Sequence, residues 1–187
     1  MSKVSTVQST KRMDVDTTAL FRWPDATSAA EVVLDEGLAF CARKAGLDNT
    51  QAVVELLRRG DSTICHYCHY GLAKKVAESI GQLDENVKAV YVLDYDATPE
   101  DRCFSSEAKT SLIHLIVWAA RKTDALDSLV RALDRALVQT YGDLIETPRL
   151  AHLLDVRVVD DTDVDERMGY GALLSSIHNR PIQVWER

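Results

Sequence analysis

A chain of 187 residues, 46% hydrophobic and 27% charged, has an ordinary soluble composition and is long enough to bury one sizeable core. Its net charge of -7 and pI near 5.2 disfavour nucleic acid and anionic membrane surfaces as partners. No apolar run reaches the length of a secretory signal or a membrane span, so a cytoplasmic protein is expected, with Cys41, Cys65, Cys68 and Cys103 as thiols or ligands rather than a disulfide framework.

Residues 1–24 are rich in Ser, Thr, Lys and Asp without periodicity and read as a mobile N-terminal arm, leaving 25–187 as one globular domain. From Thr27 or Ser28 a helix runs through Val32, Val33, Leu34, Leu38 and Cys41 to Ala45 and stops at Gly46. Asp48 or Asn49 caps a second helix that ends at Arg58, Arg59 and Gly60. A third helix follows the period of Leu72, Val76, Ala77 and Ile80, with Cys65 and Cys68 at its start or just before it.

Residues 87–95, β-branched and aromatic, predict a buried strand. Thr98, Pro99 and Asp101 form a helix-start signal, and the chain then reads as almost continuous helix to Gly142. In that reading Leu112, Ile113, Leu115, Ile116, Val117 and Ala119 form one apolar helix face containing Trp118, and Asp124 caps a fresh helix after a break near Thr123. Residues 153–159 predict a second strand, 170–178 a short helix and 181–185 a last strand. The fold class expected is α/β or α+β, a helix-rich single domain around a small sheet of about three strands.

The tandem Cys65-His66-Tyr67-Cys68-His69-Tyr70 concentrates two thiols and two imidazoles in five residues. On a helix Cys65, Cys68 and His69 share a face at i, i+3 and i+4, where two thiolates and an imidazole could reach one ion. A metal centre is therefore the first functional expectation, zinc before iron, bound by Cys65, Cys68 and His69 with Cys103 or His66 completing the set and His114 and Cys41 as further candidates. Its role, structural or catalytic, stays open. The same letters fit a Cys-x-x-Cys redox pair at a helix start and the c-type haem attachment pattern.

Val90 to Thr98, four apolar residues followed by Asp94-Tyr95-Asp96-Ala97-Thr98, resembles the first motif of the haloacid dehalogenase superfamily. The resemblance implies a Mg²⁺-dependent phosphohydrolase with Asp94 as nucleophile, Asp96 as acid/base and Asp160 and Asp161 as the later acidic pair. The run from Asp160 to Glu166 also reads as a solvated loop capping the next helix, without the glycine and terminal glutamate of an EF-hand. Gly169 and Gly171 mark a turn. His178, Asn179 and Arg180 close a helix, with Arg180 able to meet an anionic ligand. A third class, a non-enzymatic regulatory module, would form a homo-oligomer through the amphipathic helix over 124–141.

Overall fold

The computed structural model describes residues 23–93, 112–147, 150–177 and 180–187. Residues 1–22 of the arm expected over 1–24, the helix start at 98–101, Asp94, Asp96 and Cys103 lie outside the described residues, and the last two residues of that arm belong to α1 (Trp23–Ala45). The elements are α1 (Trp23–Ala45), α2 (Thr50–Arg58), α3 (Ser62–Leu83), β1 (Val87–Val92), β2 (Ile113–Ala119), α4 (Asp124–Leu144), β3 (Leu154–Val159), α5 (Asp161–Asp165), α6 (Gly171–Leu174) and β4 (Ile182–Glu186). They form an α+β fold around one mixed sheet of four strands, in the order β3-β2-β1-β4, rather than the expected three. β1 runs antiparallel to β2 and β4, while β2 and β3 are parallel and joined through α4.

Local chemistry sets most helix ends. Asn49 accepts from the Ala52 N–H at 2.9 Å and starts α2. Asp61 does the same for α3 through the Ile64 N–H at 3.0 Å, and Thr123, rather than Asp124, caps α4 through Leu126 at 3.1 Å. Gly46 and Gly60, with φ of 66° and 74°, end α1 and α2 in the left-handed conformation a side chain disfavours. α1 starts at Trp23, ahead of the polar residues expected to cap it.

The largest departure is β2, whose residues were expected on a helix face. Their burial alternates only weakly because the strand is interior and covered on both faces, so the apolar run carries no strand period. Its β-branched Ile113, Ile116 and Val117 fit a pleated surface, and its position between β1 and β3 supplies the fourth strand.

α3 and α4 lie against one face of the sheet and α1 packs on them from outside, so that Val33, Leu57, Leu72, Ile80, Leu126, Leu133 and Leu137 share one core with Val87, Val90, Leu115 and Val117. The apolar stripe of α4, expected to offer a dimer surface, is therefore consumed inside the core. On the opposite face, among the described residues, Ala89, Tyr91, Leu93, Ile116 and Val159 form a second, smaller cluster with Trp118, Val164, Tyr170, Leu173 and Leu174. Among the described residues, no helix is long and apolar enough to cross a membrane.

Candidate functional site

The tandem cysteines enter the core. Cys65 and Cys68 lie in the first two turns of α3, and together with Cys41 of α1 they are 0% exposed. Cys41 Sγ donates to the Ile64 carbonyl at 3.6 Å. Burial, with Asp61 nearby, pushes the Cys41 thiol up to about 11. Burial pushes Cys68 well above its ordinary range, and the neighbouring Cys41 and Cys65 add to it. The fully buried Tyr141 of α4 stands in the same field, its hydroxyl without a hydrogen-bond partner among the described residues.

This arrangement overturns the metal centre. Among the described residues, no group of three or more His, Cys, Asp or Glu side chains is placed to hold a metal ion. The helical twist that turns Cys65 and Cys68 inward leaves His66 half-buried on the outer side, its ring 6.1 Å from that of Tyr67. His69 is half-buried and joins no such group. A metal needs thiolates, and an apolar core holds these thiols protonated. Burial raises the Cys41 and Cys68 thiols, the opposite of the lowered pKa that redox chemistry requires. Zinc and iron at Cys65, Cys68 and His69 therefore give way to core packing. Cys103, the preferred fourth ligand, lies outside the described residues.

The acidic run has structural partners. Asp160 Oδ1 accepts from the Asp163 N–H at 3.0 Å and Asp163 Oδ2 from the Asp160 N–H at 3.2 Å, a reciprocal cap on α5. Both Asp161 oxygens lie 2.7 Å from Lys88 Nζ, and Oδ1 also accepts from Trp118 Nε1 at 2.9 Å. Hydrogen bonds from Lys88 and then Trp118 hold the Asp161 carboxyl below its ordinary range, and Lys122 does the same for Asp163. Of the pair assigned to Mg²⁺, Asp160 caps α5 and Asp161 fastens the end of β3 to β1 and β2. Trp118, read as helix core, is part of that fastening.

On the second face the strand registers set side chains in three rows. Ala89, Trp118 and Val159 form the first, packed under the residues of α5 and α6. Tyr91, Ile116 and Arg157 form the second. Leu93, His114 and Asp155 form the third, Leu93 N–H donating to the His114 carbonyl at 3.0 Å. In that row His114 Nδ1 lies 3.0 Å from Asp155 Oδ2, while Arg157 Nη2 holds Asp155 Oδ1 at 3.2 Å. The Arg157 guanidinium in turn lies 5.4 Å from the Tyr170 ring. His114 and Asp155 side chains are 33% and 28% exposed, so the pair is reachable from water yet shielded enough for its geometry to count.

No protein-family model matches the chain, and no curated protein or solved structure does either. Function is therefore argued from geometry alone.

Sequence reasoning missed this pair as a unit. His114 was considered only as a spare ligand for the cysteines, yet strand alternation puts it on the far side of the sheet from them. Asp155 is 41 residues away and meets it only through parallel pairing. One signal was present: Asp155 and Arg157 alternate with Leu154, Val156 and Val158, the mark of a strand with one polar face.

Proposed function

We propose that the protein acts on a small molecule at the second face of its sheet, with His114 as the proton-transfer group and Asp155 as its orienting partner. The observation that carries this reading is the shared Asp155 carboxylate, gripped by His114 at 3.0 Å and by Arg157 at 3.2 Å. An ionised carboxylate only accepts hydrogen bonds, so the proton of neutral His114 resides on Nδ1 and the basic lone pair on Nε2. When Nε2 takes a proton, the positive ring is stabilised by the carboxylate it already touches. Arg157 keeps Asp155 from rotating away, because it occupies the other oxygen. This is the base-and-orienter arrangement of acid–base catalysis.

Turnover of activated aryl esters and thioesters tests the reading. General-base catalysis contributes about 10²–10⁴-fold, so His114→Asn should lose turnover by that order, and Asp155→Asn should fall in the same direction. Wild-type turnover no faster than buffer, or equal turnover in His114→Asn, would overturn it.

A further inference from the structure

The loop after α6 borders a cavity of about 440 Å³ lined by Leu174, Ser175, Ser176, Ile177 and Arg180, a volume in the range of small-molecule sites. Leu174 packs into the same apolar cluster as Tyr91, Leu93 and Ile116, and Leu93 stands opposite His114. Through Leu174 the cavity adjoins the apolar cluster on the second face of the sheet.

Its charge is out of keeping with its surroundings. Three cations on this face are engaged: Arg157 by Asp155, Lys88 by Asp161 and Lys122 by Asp163. Arg180 has no described carboxylate within salt-bridge distance, in a chain whose net charge is -7. Its field does reach the sheet. Burial pushes the Tyr91 hydroxyl up, Glu186 pushes it further and Arg180 pulls it back. At the same rim Ile177 is 91% exposed, the most exposed of the large apolar side chains described. Ser175 Oγ donates to the Ala172 carbonyl at 3.3 Å, which leaves its oxygen lone pairs as acceptors. A guanidinium without a carboxylate partner among the described residues is a fork for anionic oxygens, and a bare isoleucine beside it suits an apolar body attached to that anion.

We propose that this cavity binds a small organic anion, its carboxylate or phosphate oxygens on Arg180 and its apolar body against Leu174 and Ile177. The assignment deepens the reading above and rests on the second face of the sheet being the functional one.

Calorimetric titration of the full chain with octanoate, octyl phosphate and neutral octanol tests it, with Arg180→Gln and His114→Asn alongside. At least one anion should bind saturably and more tightly than octanol, and whichever does distinguishes carboxylate from phosphate. Arg180→Gln should weaken that binding at least about tenfold, the scale of one charged hydrogen-bonded contact, while His114→Asn retains it. No saturable binding of either anion, or equal binding by Arg180→Gln, overturns the proposal and leaves the His114 reading to its own turnover test. Binding that depends on Arg180 together with unaltered turnover in His114→Asn sustains the anion site and sinks the acid–base reading.

Discussion

Asp134 shows how one side chain ties a helix to a strand. It is the only buried charged residue among those described, 7% exposed on α4. Its Oδ1 accepts from the N–H groups of Leu153 and Leu154, both at 2.9 Å, and its Oδ2 lies 2.8 Å from His152 Nδ1. The carboxylate thus satisfies the backbone where β3 begins. Asp134→Ala would leave two buried donors unpaired and should cost roughly 2–4 kcal/mol in urea unfolding. Asp134→Asn keeps Oδ1 and loses only the contact to the 70% exposed His152, so about 1 kcal/mol or less is expected. Equal losses in the two variants would contradict the division of labour between the two oxygens. In the sequence, Asp134 is an ordinary acid beside Leu133, because its partners are backbone groups that carry no side-chain identity.

The crossing of α1 over α3 is set by absent side chains. A Cβ on Gly71 would lie 2.8 Å from the Gly37 carbonyl oxygen and 2.9 Å from Phe40 Cδ1. A Cβ on Gly37 would meet Leu72 Cδ2 at 2.8 Å, the movable end of a side chain. Alanine improves helix propensity by about 1 kcal/mol at either position. At Gly71 the backbone clash should outweigh that gain, giving a net loss of about 1–3 kcal/mol, with a smaller loss at Gly37. Denaturant midpoints of Gly71→Ala and Gly37→Ala check the order, and a stabilised Gly71→Ala would show that the helices can part cheaply. The helix ends at Asn49 and Gly60 were legible because cap and capped residue are sequence neighbours. The state of 112–119 was not, since a strand covered on both faces and a buried helix share the same apolar composition.

Across the whole molecule, the buried thiols and Tyr141 tie stability to alkaline pH. The ordinary thiol value is 9.0, and the folded protein holds Cys41 near 11 and Cys68 well above 9.0. Above the ordinary value the unfolded chain releases protons that the folded chain retains, so unfolding becomes easier as pH rises. The contribution is fully present below pH 9 and is lost upward through about 11, and the raised Tyr141 acts in the same direction. Thermal midpoints should fall over that window, less steeply in Cys41→Ala, and should not respond to EDTA or phenanthroline at neutral pH. A chelator-induced drop would restore the metal centre.

What the sequence determined by itself is what depends on near neighbours: capped and glycine-stopped helices, a strand within 87–95, an α/β or α+β class and the absence of a membrane-length apolar helix among the described residues. The tertiary structure decided where those elements point. It turned Cys65 and Cys68 into the core, committed the apolar stripe of α4 to the sheet, and brought His114 against Asp155 across 41 residues. Proximity and burial arise from packing distant segments together, and burial fixes whether a thiol is a ligand or a core residue.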